Sequence, residues 1–184
     1  MARQIHAALT IKTGKIMSFT IYRASGPVFA RALTNLAAIF DKAAAHAEAK
    51  KIDQSVFMQA RLAPDMLALP RQVQIASDTA RRSMARLAGT EAPAMEDKEA
   101  SFADLKARCL NSVEYVNSFK PEQIVGSETR TIVMKISGKD VNFTGADYLF
   151  GFALPNFYFH VTTAYAILRH NGVEVGKMDY LGRT

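Results

Sequence analysis

The chain has few of the residues and motifs on which many enzymes and membrane proteins depend. Its 184 residues include a single cysteine, Cys109, which excludes an intramolecular disulfide and predicts a reducing, cytoplasmic environment. No uninterrupted run of about 18 apolar residues occurs, so no membrane span is predicted. Phosphate-binding glycine loops, Gly-x-Ser-x-Gly elbows and paired cysteines are also missing. These absences leave the substrate and the reaction open.

The positive charge of the chain does not form a pattern that is typical of nucleic-acid binding. The net charge is +6 at pH 7, and half of it comes from Arg3, Lys12 and Lys15 near the start. No basic cluster with interleaved aromatic side chains follows, and Arg81 and Arg82 are interpreted as a solvated helix face. We therefore expect no nucleic-acid partner and no membrane partner.

The first 16 residues differ from the rest of the sequence. They show no sustained amphipathic period, and Met17 opens a segment that looks like a second start. We expect residues 1–16 to be a weakly ordered extension whose removal changes stability little. The remainder, residues 17–184, is predicted to form one domain, because a hydrophobic content of 49% over this length is enough for a proper core.

The apolar periodicity predicts four helices and one β-hairpin. The helical segments lie near residues 25–50, 65–88, 101–119 and 146–170. The last helix should be kinked at Pro155, and alternating residues over 130–143 predict the hairpin. Cys109 falls on the apolar stripe of the third helix and is interpreted as a core residue. The predicted fold class is all-α, a four-helix bundle with a short hairpin between helices three and four, and the long loops favour crossover connections.

Several phrases of the sequence resemble one family. They are "YRASGPVFARALTNLAAIFDKAAAHAEAKKID", "RLAPDM", "RQVQIA" and "LPNFYFHVTTAYAILRHNGV". These phrases are similar to the DinB-like four-helix bundles and, within them, to an uncharacterised bacterial branch described as a domain of unknown function. The resemblance covers nearly all of the chain after residue 16. It implies a DinB-like four-helix-bundle fold.

The resemblance also implies where a metal would be bound. Many DinB-like proteins look like metal-dependent enzymes, with an His-x-x-x-His pair on the last helix and a third histidine on the second. The pair is often followed by a Leu-Arg-x-x-Gly ending, which matches residues 168–172 here. The pair then falls on Asn156 and His160, and the third position falls near Gln72, with Gln74 as the other candidate. Of the three histidines in the family pattern, this sequence therefore has only His160.

This departure from the family pattern changes the expected chemistry. Residues 156 and 160 lie on one face of a helix, but a carboxamide is a poor ligand for zinc or nickel. We therefore expect no tightly bound cofactor, with His160 as the one candidate metal ligand. Asn156, His160 and Gln72 are predicted to converge on a polar pocket; the alternative is that His160 is a hydrogen-bonded core histidine. The further pocket candidates are Gln74, Tyr158, Tyr165 and His46.

Two functions from different classes remain open. The first is a bundle with a degenerate metal site that binds a small molecule or has a structural role, as a homodimer. The second is a metal-dependent or His160-assisted transferase or hydrolase that acts on a small, thiol-cofactor-linked substrate. The homodimer is expected because a small bundle would leave Phe19, Ile21, Tyr22 and the hairpin edge exposed.

Overall fold

Four long helices and a hairpin form the fold. The computed structural model describes residues 19–182, so the predicted extension at residues 1–16 lies outside them. The long elements are α1 (Gly26–Lys50), α2 (Leu69–Ala88), α3 (Phe102–Asn117), β1 (Thr131–Ile136), β2 (Lys139–Thr144) and α4 (Leu154–His170). Shorter helical segments lie at Ile21–Ala24, Gln54–Gln59, Pro121–Ile124, Ser127–Thr129, Gly145–Asp147 and Lys177–Leu181. The predicted all-α bundle with a hairpin before the last helix is confirmed.

Proline, glycine and a serine cap explain where α2 and α3 begin and end. α2 starts at Leu69, later than predicted, because Pro70 cannot donate a backbone hydrogen bond and is tolerated only in a first turn. It ends at Gly89, whose φ of 75° is the left-handed conformation that favours glycine. α3 starts after Ser101, whose hydroxyl accepts a hydrogen bond from the backbone N–H of Asp104.

The predicted helix over residues 146–170 is not one continuous α-helix. Residues Tyr148–Ala153 form a π-helical segment that leads directly into α4. Pro155 explains the wider turn, because it has no N–H to donate to the carbonyl of Gly151 and its ring needs space there. The expected kink is therefore a π-helical segment, which we call the π-segment.

The hairpin pairs antiparallel from Thr131 with Thr144 to Ile136 with Lys139. Its turn consists of Ser137 and Gly138, both at positive φ, as a two-residue turn of type I′ requires. The hairpin lies between α3 and α4 in the chain, and Met134 of β1 lines a cleft beside α2.

The order of contacts shows that α2 and α3 run parallel. Asp78 of α2 contacts Arg108 of α3, and Arg81, one turn further along α2, lies over the ring of Tyr115, two turns further along α3. Consecutive helices that pack in parallel need a connection that returns along the length of the bundle. Residues 89–101 are this connection, which we call the crossover, and such a connection is what the long loops favoured.

A cluster of aromatic rings lies in the core between α1, α3 and the short helix at Gln54–Gln59. The ring of Phe102 lies 5.3 Å from that of Phe57 and 6.2 Å from that of Phe40, and all three side chains are buried. Cys109 is also fully buried, which raises the pKa of its thiol to about 12 and confirms its interpretation as a core residue. No helix within residues 19–182 is long and apolar enough to cross a bilayer.

Candidate binding site between α2 and α4

Three polar contacts join α2 to the chain segment formed by the π-segment and α4. They are His160 Nδ1 to Gln72 Oε1 at 2.6 Å, Asn156 Nδ2 to Thr79 Oγ1 at 2.9 Å, and Tyr148 Oη to Ser83 Oγ at 3.0 Å. From the first contact to the third, residue numbers rise along α2 and fall along the π-segment and α4, so the two segments run antiparallel. We call this series the polar ladder. The contacts of His160 and Tyr148 are buried, that of Asn156 with Thr79 is half-buried, and each of these side chains has a partner.

The first contact of the ladder determines which ring nitrogen of His160 carries the proton. Gln72 Nε2 donates to the carbonyl of Leu67 at 2.9 Å, so Gln72 Oε1 faces the imidazole and can only accept. Nδ1 of His160 therefore carries the proton. Burial, and then the positive charge of Arg71, lowers the pKa of His160 and favours the neutral ring. In that neutral tautomer, Nε2 keeps a lone pair.

The second contact, between Asn156 and Thr79, lies beside a cleft of about 280 Å³ along the outer face of α2. Asn156 and Thr79 lie in its wall, while Gln72 and His160 do not line it. The cleft is bounded by α2, the crossover, β1, the π-segment and α4. Its charged lining residues are Arg71, Asp78, Arg82, Arg86 and Asp97, and its apolar ones are Ile75, Met134 and Phe152. The structure therefore brings Asn156 and His160 to the same helix interface but not to the same partner.

A buried arginine organises one side of the cleft. The Arg108 side chain is 1% exposed and contacts three carboxylates, at 2.7 Å from Glu99, 3.0 Å from Asp78 and 3.1 Å from Asp97. It also donates to the carbonyl of Glu96 at 3.0 Å. Because the crossover has no regular secondary structure, these bonds replace the backbone pairing that would otherwise hold it. Both cleft carboxylates, Asp78 and Asp97, are thus shared with Arg108.

Arg81 was interpreted as part of a solvated helix face, and this interpretation is wrong. The residue is 4% exposed, and its guanidinium donates to the carbonyl of Pro93 at 2.6 Å. Burial lowers its pKa, although arginine remains charged at neutral pH. The reason lies in the crossover, which returns over this face of α2 and covers it. The neighbouring Arg82 is exposed and pairs with Asp78 at 2.9 Å.

Gln74 lies at the edge of the cleft rather than beside His160. Its Nε2 donates to Glu99 at 2.8 Å, and its Oε1 accepts from Arg71 at 3.1 Å. Two residues along a helix correspond to a rotation of about 200°, which is why Gln72 and Gln74 have different neighbours. Gln72 is the residue that meets His160.

Tyr158 and Tyr165 do not approach the cleft. They share a face of α4 with Thr162 that points toward the short C-terminal helix, where Tyr180 lies. The rings of Tyr165 and Tyr180 are 5.6 Å apart, and burial raises the pKa of Tyr158. The helical period separates this face from that of Asn156 and His160, which corrects their prediction as pocket residues.

His46 lies near the end of α1, away from the polar ladder. Its imidazole packs edge-on against Phe57, with ring centres 6.1 Å apart, and lies beside Gly172 after the end of α4. His160 is about three turns before Gly172 along α4, so the structure does not bring the two histidines together. His46 is a packing residue in this arrangement.

The comparisons with known proteins agree with this fold. Residues 21–181 match the model of the family described as Domain of unknown function (DUF1993). The chain belongs to this family. A crystal structure of a DinB family member protein from Shewanella denitrificans is 45% identical, with a TM-score of 0.80, and the match covers 89% of this chain and 93% of that one. The DUF1993 fold seen here is therefore DinB-like. No curated protein matches the chain.

The residues of this DUF1993 chain do not fit a transition metal at the DinB positions. His160 keeps a lone pair on Nε2, but the other two positions carry amides: Gln72 Oε1 accepts from His160, and Asn156 donates to Thr79. Neutral amide oxygens are poor ligands for zinc or nickel. Within residues 19–182, no group of three histidine, cysteine, aspartate or glutamate side chains has a metal-binding arrangement.

Sequence reasoning missed the charged wall of the cleft. Asp78, Arg82 and Arg86 are spaced four residues apart on α2, so their common face could have been recognised. The place of Tyr148 in the cleft wall could not have been recognised from the sequence, because its position depends on the π-segment. The role of Arg108 depends on the path of the crossover, which no local pattern indicates.

Proposed function

We propose that this protein is a DinB-like bundle with a degenerate metal site that binds a small molecule in the cleft between α2 and α4, and that it acts as a homodimer in the cytoplasm. The observation that carries the proposal is that amides stand at two of the three positions where the family pattern would place metal ligands. Gln72 Oε1 accepts from His160, and Asn156 Nδ2 donates to Thr79, so both amides are held in hydrogen bonds between the helices. The adjoining cleft supports the binding role, because it combines apolar surface with several convergent polar groups.

Restoring the missing imidazoles tests the degenerate metal site. Gln72→His with Asn156→His should raise zinc affinity by orders of magnitude in protein purified without a metal-affinity tag, as measured by calorimetry. The matched control is Gln74→His with Asn156→His, which adds the same number of imidazoles but turns one of them away from His160. A folded double variant that binds zinc no better than this control would contradict the proposal.

Ligand binding is tested separately with a panel of small polar molecules that includes neutral amides and anions. We expect at least one of them to bind with a stoichiometry of one per chain, as measured by calorimetry. Asn156→Ala should weaken that binding, because Asn156 lies in the cleft wall, whereas Asn171→Ala, beyond the end of α4, should not. A panel in which no molecule binds would contradict the small-molecule role.

A second candidate function is acid–base catalysis by His160. The observation that favours it is the neutral imidazole with a lone pair on Nε2, which is the state a general base needs near neutral pH. A transferase or hydrolase acting on a small thioester would use this nitrogen. Hydrolysis of an acyl-thiol probe by the parent, lost in His160→Gln but kept in His170→Gln, is the expected result for this alternative.

The homodimer is supported by exposed apolar side chains. Phe19 is 74% exposed and stacks on Phe150, with ring centres 6.2 Å apart, and Val133 is exposed on β1. Ile21, which was expected on this surface, is instead buried. Sedimentation equilibrium should give the mass of a dimer at micromolar concentration, and Phe19→Ser with Phe150→Ser should shift it toward the monomer. A monomeric parent protein would contradict the proposal.

A further inference from the structure

Arg86 is a positioned guanidinium in the wall of the cleft. Its Nη1 donates to the hydroxyl of Tyr148 at 3.0 Å, and its guanidinium carbon lies 5.5 Å from the centre of the Tyr148 ring. Tyr148 is itself 1% exposed and is held at Ser83, so the phenol provides a fixed support. Within residues 19–182, no carboxylate pairs with Arg86. Its remaining donors are available in a fixed orientation.

Arg82 places a second guanidinium one helical turn before Arg86. Two positive charges four residues apart on a helix destabilise each other unless anions lie nearby. The nearest acid, Asp78, contacts Arg82 at 2.9 Å but is also bonded to the buried Arg108 at 3.0 Å. Its single charge is therefore divided between these arginines.

The charges around the cleft are not balanced. Four guanidinium groups, those of Arg71, Arg81, Arg82 and Arg108, contact only three carboxylates, those of Asp78, Asp97 and Glu99. Arg86 is the fifth guanidinium of this cluster and contacts no carboxylate within residues 19–182. The cluster therefore carries a net charge of +2, and its unpaired member, Arg86, faces the cleft. This excess favours a negatively charged occupant.

We propose that the cleft binds a small molecule through an oxyanion group, a carboxylate or a phosphate, held by Arg82 and Arg86. This inference rests on the proposed small-molecule role and specifies the ligand class. Guanidinium groups bind such oxygens through paired, charge-assisted hydrogen bonds. Asn156 and Thr79 line the same cleft and offer hydrogen bonds to the rest of the ligand. Met134 and Phe152 provide apolar contact, and a volume of about 280 Å³ limits the ligand to a small metabolite.

Calorimetric titration of the full chain with inorganic phosphate and with succinate, at low ionic strength, tests the inference. We expect saturable binding of one anion per chain, at least tenfold weaker in Arg86→Gln and also weakened in Arg82→Gln. The control is Arg169→Gln, which removes the same charge at the exposed far end of α4 and should change the affinity less than twofold. Tighter binding of phosphate would identify a phosphoryl group, and tighter binding of succinate a carboxylate.

Two outcomes would overturn the inference. One is equal weakening in Arg86→Gln and Arg169→Gln, which would mean that only overall charge attracts the anion. The other is an absence of saturable binding by either anion. If a neutral amide nevertheless binds and depends on Asn156, the small-molecule role stands and only the oxyanion is rejected. Because Arg82 is exposed, its variant should fold even if Arg86→Gln does not, and circular dichroism checks both.

Discussion

The interface between α1 and α3 and the interface between α2 and α4 solve the same packing problem with different side chains. The first is filled by aromatic rings, with Phe40 and Phe102 between the helices and Phe57 beside them. The second carries the three hydrogen-bonded contacts of the polar ladder. Apolar burial stabilises a bundle without any directional requirement, whereas buried polar groups are costly unless each one is paired. The comparison teaches that stability should depend mainly on the first interface and binding on the second.

The crossover adds a third kind of contact, in which charge replaces both rings and neutral hydrogen bonds. Its chain returns along the α2–α3 seam, where Arg81 and Arg108 donate to its carbonyl oxygens. A segment without regular secondary structure has to satisfy its backbone by other means, and long guanidinium side chains can reach it from neighbouring helices. Arg81 and Arg108 therefore attach the crossover to α2 and α3 beside the cleft.

The largest expected loss of stability follows from removing a buried ring from the interface between α1 and α3. Phe102→Ala should lower the free energy of unfolding by about 4 kcal/mol, because it removes a fully buried ring that contacts two others. Phe159→Ala is the control, since that ring is 55% exposed on α4, and its loss should cost about 0.5 kcal/mol or less. Urea denaturation measures both. A loss below that of the control would remove the contrast between the two interfaces.

A somewhat smaller effect is expected at the crossover. Arg108→Met should lower the free energy of unfolding by about 3 kcal/mol, because it leaves Glu99 and its neighbours without their buried partner. The crossover should also become sensitive to limited proteolysis while the helices stay intact. Lys106→Met on the same helix removes only a surface ion pair with Asp41 and should cost about 0.5 kcal/mol. Equal effects of the two variants would show that the arginine does not hold the crossover.

The smallest effect concerns the polar ladder and appears as a dependence on pH. Burial lowers the pKa of His160 in the folded protein, so the unfolded chain binds the proton more readily than the folded one. Stability should therefore fall as the pH drops below about 6.5, the ordinary value for histidine, and level off below the folded pKa. Above about pH 6.5 the stability that comes from neutral His160 is fully present.

The measurement is a comparison of unfolding free energies at pH 7.5 and pH 5.5. His160→Gln should lose less stability over this interval than the parent, since it removes the titrating group. His170→Gln, at the exposed end of α4, should behave as the parent does. If both variants and the parent lose the same amount of stability, burial does not hold His160 in the neutral form.

Much of the fold could be predicted because its signals are local. The apolar period located the long helices, and Ser101 marked the start of α3 through a side chain that bonds to the nearest free N–H. The Ser-Gly turn indicated the hairpin for the same kind of reason, since its two residues adopt positive φ. The four-residue spacing of Asn156 and His160 placed both side chains toward α2, as the structure has them.

The candidate site was harder to predict from the sequence, because its residues come from distant parts of the chain. Asn156 meets Thr79 rather than Gln72, and this depends on how far α4 is shifted along α2. The tyrosines chosen from the last helix point to its opposite face, where the C-terminal helix docks. The burial of Arg81 depends on the crossover that covers it.

The sequence by itself determined the helices, the hairpin and the class of fold, since backbone propensity, capping and apolar period act between residues a few positions apart. It also determined that amides stand at two positions where imidazoles would be needed for a metal. Only the tertiary structure decided which amide pairs with His160, and that Arg86 beside the cleft has no carboxylate partner among residues 19–182. The reason is that hydrogen bonding and charge balance depend on distances of a few ångströms between segments, which the packing of the helices and the path of the crossover determine.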